Sequence, residues 1–373
     1  MNRLTPFLLG GALLAAACLH AADPIKVGEY ASLTGKEAAW GQSSHKGTLL
    51  AIEEINAAGG VLGRPLELLT EDNQSKQGES ATGVKKLITR DRVVAVLGEV
   101  ASIRTLEAAP VIQNAKIPMI APGAVNAKIT EVGDYIFRVC FIDSFQGVVL
   151  AKFARETLHA KRIAVLTSVN SAYSVSLAKV FRERFVADGG AIAVEQKYNE
   201  GDKDFRAQLT AIKAAKPDAL IVPGYYTEAA LICAQARQLG LTLPIFGGDG
   251  WDDPALIAIG GAGVEGTHFC THYSPDNPSR AVQDFNARYR ARWGEMPGAY
   301  AALGYDSVLV LADALKRAGT TEPKALRDAI AATKNFPAVT GNITIDEKRN
   351  ASKSAVILTV KNGQYQFVTS VAP

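Results

Sequence analysis

The sequence predicts an α/β protein of two doubly wound βα lobes, and three observations lead there. Short runs rich in Val, Ile and Leu alternate with stretches whose apolar residues recur at helical spacing, the order that builds parallel sheets from βα units. That order opens at Ile25 and begins afresh at Arg162. A chain of 373 residues, 48% of them hydrophobic, also has the material for two compact cores rather than one.

In the first series, Ile25-Lys-Val-Gly-Glu-Tyr30 reads as a strand. Leu49, Ile52 and Ile55 then place apolar groups on one face of a helix that ends at Gly59-Gly60. Strands follow at Leu66–Leu69, Val93–Val96 and Ile117–Ile120, with helices near Lys85 and Ala108 between them. The second series runs through a strand at Arg162–Thr167, a helix from about Ser174 to Asp188 and a strand near Ala191–Val194. A helix over Phe205–Ala215 and a strand at Ala219–Val222 continue it. Helical patterns around Phe285 and Ala302–Leu315 return late enough to rejoin one of the earlier sheets. Two such lobes with several crossings leave a cleft where the chain passes between them.

The N-terminus reads as an export signal over residues 1–22. Arg3 supplies a positive charge, Phe7 to Leu19 is apolar and small, and Ala21-Ala22 offers a cleavage point. Leu14-Ala-Ala-Ala-Cys18 loosely resembles a lipoprotein cleavage box, with alanine where leucine is usual, so a periplasmic product is expected ahead of one lipid-anchored at Cys18. The formal charge of +3 is spread along the chain with no basic run interleaved with aromatics, which argues against a nucleic-acid partner.

The glycine-rich stretch Phe246-Gly-Gly-Asp-Gly-Trp-Asp-Asp253 has two readings. Its glycines allow close backbone approach to a ligand around the single carboxylate of Asp249. Equally, it is a solvated turn in which Asp252 caps a helix opening at Pro254. An enzyme is poorly supported: the histidines after the signal are His45, His159, His268 and His272, and neither a Gly-x-Ser-x-Gly elbow nor a Gly-x-Gly-x-x-Gly turn opening a helix after the first strand is present. His268-Phe-Cys270-Thr-His272 has alternate metal-ligating residues, but ligands two apart on one strand converge poorly on an ion, so neither metal nor cofactor is expected.

Several segments in this order carry a family resemblance: Ile25-Lys-Val-Gly28, Ala57-Ala-Gly-Gly-Val-Leu-Gly-Arg-Pro65, Ile120-Ala-Pro-Gly-Ala124, Phe137-Arg138 with Asp143 and Gln146-Gly147, Gly247-Gly-Asp-Gly-Trp251, and Gly304-Tyr-Asp306. Over essentially all of the exported part the chain resembles the periplasmic solute-binding proteins of the branched-chain amino acid type, receptor components of ABC importers. The resemblance implies lobes of 23–142 plus 273–340 and of 143–272 plus 341–373. Three hinge crossings would join them, near Cys140–Ser144, Cys270–Ser274 and Val339–Ile343. It also carries ligand contacts onto Trp40, Ser102, Ala124, Val125, Tyr173, Tyr225, Asp249 and Tyr305.

Those residue types suit an amino-acid zwitterion, which needs donors at one end and an acceptor at the other. Ser102, where a helix starts, would meet the carboxylate with its hydroxyl and the free N–H groups beside it; on its own it equally reads as a helix cap. Backbone groups of Ala124 and Val125 would face the ligand, Asp249 the ammonium, and Trp40, Tyr173 and Tyr225 would form flat walls. Tyr225 and its neighbour Tyr226 point opposite ways on an extended segment, so one of them is expected at the cleft. Departures from the family bear on specificity. Val125 lacks a hydroxyl common at its position, Asp249 is one methylene shorter than the glutamate of some relatives, and a cleft-facing Arg104 would favour a more acidic ligand. The function implied is capture of leucine, isoleucine or valine by a monomer that delivers it to an ABC importer permease. The alternative is a ligand-sensing module for a small carboxylate or amide that signals to a receptor. Cys140, Cys233 and Cys270 are expected as free thiols, since a bridge between the two crossings would restrict closure.

Overall fold

The computed structural model of the chain describes residues 23–372, so the export signal and Cys18 lie outside the described residues. Five parallel strands form the first sheet: β1 (Ile25–Ala31), β2 (Leu66–Asp72), β3 (Ala95–Leu97), β4 (Met119–Ala121) and β5 (Ile136–Arg138), in the order β2-β1-β3-β4-β5. Strands β3, β4 and β5 are buried along their whole length, as strands covered on both faces are, whereas β2 at one edge is half-buried and carries Glu67, Glu71 and Asp72. Between them run α1 (Ala38–Ala57), α2 (Glu79–Thr89), α3 (Ser102–Ala115) and α4 (Lys128–Glu131).

The second sheet repeats this order. After α5 (Asp143–Glu156) come β6 (Arg162–Ser168), α6 (Ala172–Ala187), β7 (Ala191–Tyr198), α7 (Arg206–Ala215), β8 (Ala219–Ile221), α8 (Tyr226–Gln238), β9 (Ile245–Gly247), α9 (Pro254–Gly260) and β10 (His268–Thr271). Its parallel part reads β7-β6-β8-β9-β10. In each sheet the order reverses at the first strand of the series, β1 or β6. In open α/β sheets a ligand crevice forms beyond the carboxyl ends of the strands at such a switch point.

The late helices α10 (Arg280–Trp293), α11 (Ala299–Ala318) and α12 (Pro323–Ala331) rejoin the first sheet. Helix α11 is apolar nearly all round and buried, as a helix sandwiched within a core must be. It meets α1 backbone to backbone: a Cβ at Gly47 would lie 1.9 Å from the Ala301 carbonyl oxygen, and one at Gly304 2.3 Å from that of Ser44.

The C-terminal region contains elements the sequence did not suggest. A three-stranded antiparallel sheet, β11 (Phe336–Ala338), β12 (Gly341–Ile345) and β13 (Ala351–Ser352), precedes β14 (Ala355–Lys361) and β15 (Gln364–Val371), which add antiparallel to β10 and extend the second sheet. The third passage between the lobes therefore falls at Lys353–Ser354, not at the expected Val339–Ile343, and residues 341–352 stay beside the first lobe instead of joining the second. Hydrogen bonds hold them there. Asp306 of α11 accepts from the Val339 and Thr340 amides at 2.8 and 2.9 Å, and Arg349 donates to the Thr130 carbonyl at 2.7 Å. Among the described residues Cys140, Cys233 and Cys270 are buried and free, and no helix is long and apolar enough to cross a membrane.

Candidate ligand-binding site

The carboxyl ends of the two sheets face one another, and the loops there supply matching sets of side chains. Trp40 follows β1, Ser102 follows β3 and Val125 follows β4; across the cleft, Tyr173 follows β6, Tyr225 follows β8 and Asp249 follows β9. These six line one cavity with Val100, Gly123, Gly250 and Tyr300. The lobes meet closely, and the space left is about 10 Å³, room for about one water.

On the second lobe the glycine-rich stretch forms a tight turn over Asp249–Trp251, and its glycines bring tyrosine rings onto the backbone. A Cβ at Gly248 would lie 2.3 Å from the Tyr173 hydroxyl, and one at Gly250 2.9 Å from the Tyr225 ring. Asp249 is buried, with Oδ1 accepting from Gln146 Nε2 at 2.9 Å and Oδ2 lying 3.0 Å from His272 Nε2. His272 stacks on Phe141, with ring centroids 3.7 Å apart, and burial lowers its pKa, favouring the neutral imidazole. Neither Lys nor Arg forms an ion pair with Asp249 among the described residues. The neighbouring acids do other work: Asp253, not the expected Asp252, caps α9 by accepting from the Ala255 amide at 2.8 Å, while Asp252 turns inward to the Thr271 hydroxyl.

The walls are aromatic. Tyr173 and Tyr225 stack at 5.4 Å and 11° between planes, and Trp40 stands edge-on to Tyr225 at 4.6 Å. Tyr226 also packs edge-on to Trp40, at 4.9 Å, yet only Tyr225 lines this cavity, because Tyr226 opens α8 and turns away. On the first lobe Ser102 is the first residue of α3 and does not cap it. Its hydroxyl oxygen accepts from the Asn126 amide at 3.3 Å.

Two expected contacts lie elsewhere. Ala124 is in the core of the first lobe, its carbonyl accepting from Arg138 Nη1 at 2.7 Å; Gly123, one residue earlier, reaches the cavity instead. Tyr305 points away, donating to Glu54 at 2.6 Å and accepting from Arg288 at 3.1 Å. Its place is taken by Tyr300, which donates across the cleft to the Asp249 carbonyl at 2.8 Å. Nor does Arg104 face this cavity: it is buried, donating to the Ser75 carbonyl at 2.8 Å and to Glu107 at 3.3 Å, so the expected preference for a more acidic ligand loses its basis. Gln146, His272 and Tyr300 went unrecognised as site residues because each lies far in sequence from the turn it supports. His268 and His272 part company, His268 packing near Phe153 and His272 reaching Asp249.

Two like-ordered sheets, their carboxyl ends closing on a small polar and aromatic cavity, define a two-lobed solute-binding fold. The chain belongs to the periplasmic binding protein family, whose model matches residues 24–364. It is 32% identical over 331 residues, covering 88% of this chain and 87% of the relative, to the leucine-, isoleucine-, valine-, threonine- and alanine-binding protein of Pseudomonas aeruginosa. Among solved structures it resembles the leucine-binding protein LivK of Thermotoga maritima, at 41% identity and TM-score 0.90 over 94% of this chain and 99% of that one. It also resembles LivJ of Streptococcus pneumoniae, solved with isoleucine, at 37% identity and TM-score 0.89 over 94% and 100%.

Proposed function

We propose that this protein captures a branched-chain aliphatic amino acid between its lobes and, as an exported monomer, delivers it to the permease of an ABC importer. In this reading the protein carries the ligand without transforming it. The observation that carries the reading is the buried Asp249 carboxylate with no Lys or Arg paired to it among the described residues, beside a histidine whose burial favours the uncharged form. A buried charge calls for a partner, and an α-ammonium brought in by the ligand supplies one. Ser102 and the amides at the start of α3 offer donors for the α-carboxylate. Trp40, Tyr173 and Tyr225 give the aliphatic side chain an apolar surround. The relatives named above support the same choice: leucine or isoleucine is named for each, and the Pseudomonas protein is named for valine, threonine and alanine as well.

A branched side chain leaving water against these rings contributes about 1.5–3 kcal/mol. Titration calorimetry is therefore expected to give leucine an affinity at least ~10-fold above alanine, with leucine and isoleucine close together. Equal affinity for alanine and leucine would contradict an aliphatic pocket.

A further inference from the structure

A second and larger cavity, of about 400 Å³, adjoins the first and shares Trp40 and Tyr225 with it. Lys36 and Glu37, just before α1, wall it on the first lobe; the Glu200–Lys203 turn and the start of α8 wall it on the second. Four carboxylates line it, those of Glu37, Glu200, Asp202 and Glu228, against the two ammonium groups of Lys36 and Lys203.

Those carboxylates are unequally satisfied. Glu228 accepts from the Gly201 amide and Asp202 from the Asn199 amide, both at 2.8 Å. Glu200 holds Lys36 on one oxygen while the other, buried, has no donor. Glu37 is 2% exposed and neither of its oxygens receives a hydrogen bond, although Lys36 Nζ and Arg104 Nε stand 3.4 and 3.6 Å away. Arg104 is also committed to Glu107 and the Ser75 carbonyl, whereas Lys36 is half-exposed and divided between Glu37 and Glu200. Tyr225, Tyr226 and Leu231 also line the cavity, the Tyr226 hydroxyl donating to the Lys36 carbonyl at 3.0 Å. Carboxylates accept hydrogen bonds and cannot donate them, and aromatic faces attract cations. The cavity therefore suits a group that is positive, rich in N–H donors and carried on an apolar body.

The geometry points to a second ligand site that binds a primary ammonium on a small apolar body. The ammonium takes the place of Lys36 between Glu37 and Glu200, and the body lies against Tyr225, Tyr226 and Leu231. Since both lobes contribute walls, an occupant favours their closure, and the shared Trp40 and Tyr225 couple it to the neighbouring cavity.

The test is calorimetric titration with 2-phenylethylammonium chloride and its neutral isostere 2-phenylethanol. Because an ammonium also suits Asp249 in the first cavity, the titrations are run with and without saturating leucine, and the Glu37 and Glu200 variants assign the binding to this cavity. The ammonium is expected to bind at least ~10-fold more tightly than the alcohol. Glu37→Gln is expected to lower ammonium affinity ~10-fold or more, with leucine binding and the melting temperature retained; Glu200→Gln serves in its place if Glu37→Gln does not fold. The proposal is overturned if the alcohol binds as well as the ammonium, if no binding occurs by ~10 mM, or if both variants bind the ammonium like the parent.

Discussion

Asp249 and Ser102 line the cavity from opposite lobes, and their surroundings assign them unequal weight. Removing a carboxylate that partners a buried ammonium costs about 3–5 kcal/mol, because the remaining charge is left uncompensated. Removing the Ser102 hydroxyl leaves the α3 amides in place and costs about 1–2 kcal/mol. Calorimetry on folded Asp249→Ala and Ser102→Ala is thus expected to show leucine affinity falling by two orders of magnitude or more in the first and by ~10-fold in the second; a reversed order would move the anchor to the carboxylate end. At this scale Trp40, Tyr173, Tyr225 and Asp249 came from the family resemblance, since a lone aromatic or carboxylate at a βα turn reads equally well as packing or a cap, and the structure gathers the four around one cavity. The resemblance placed Ala124 wrongly because on an irregular loop the facing residue is set by distant partners, here the two Arg138 bonds to the Ala124 and Asn126 carbonyls. Tyr305 was misplaced for a simpler reason: five residues along α11 from Tyr300, it lies well round the helix, on a different face.

The elements were legible wherever apolar periodicity was strong. Strands β1, β6 and β8 and helices α1, α6 and α11 lie where their patterns place them, to within a few residues in most cases and with longer extensions for α1 and α11. The small sheet β11–β13 and the pair β14–β15 were not legible, since short antiparallel strands are selected by pairing across the sheet more than by local pattern. The turn after β9 shows how one buried acid ties elements together. Asp252 is joined to Thr271 at the end of β10, and burial pushes its pKa up to about 7. An unfolded aspartate titrates near about 3.9, so between those values the folded protein holds the extra proton. The stability this confers is complete below about pH 4 and lost as the pH rises through about 7. Melting curves of parent and Asp252→Asn at pH 5 and pH 8 are expected to show a smaller loss on going to pH 8 in the variant; identical losses would mean that Asp252 ionises freely in the folded state.

For the molecule as a whole, the sequence disclosed two repeated lobes because the βα order restarts, and a cleft because several crossings join two such lobes; the switch points became visible only with the strand order. The third passage at Lys353–Ser354 was hidden, because the hydrogen bonds between Asp306 and residues 339–340 that displace it link segments distant in sequence. Both lobes hold parts of the site, so a ligand touching Ser102 and Asp249 together binds the closed arrangement selectively. With only about 10 Å³ left in the cavity that Ser102 and Asp249 line, entry of a ligand there requires the lobes to part. Small-angle scattering is expected to show a smaller radius of gyration with saturating leucine than without it; an unchanged radius would rule out closure as the mode of capture. The most direct test of the central claim, that Asp249 receives the ligand's ammonium, needs no mutation. In parallel calorimetric titrations with leucine and its des-amino analogue 4-methylpentanoate, the two ligands share the aliphatic body and carboxylate and differ in the ammonium. Leucine is expected to bind at least ~100-fold more tightly, the lower end of the cost of leaving a buried carboxylate unpaired. Equal binding of the two would contradict the account.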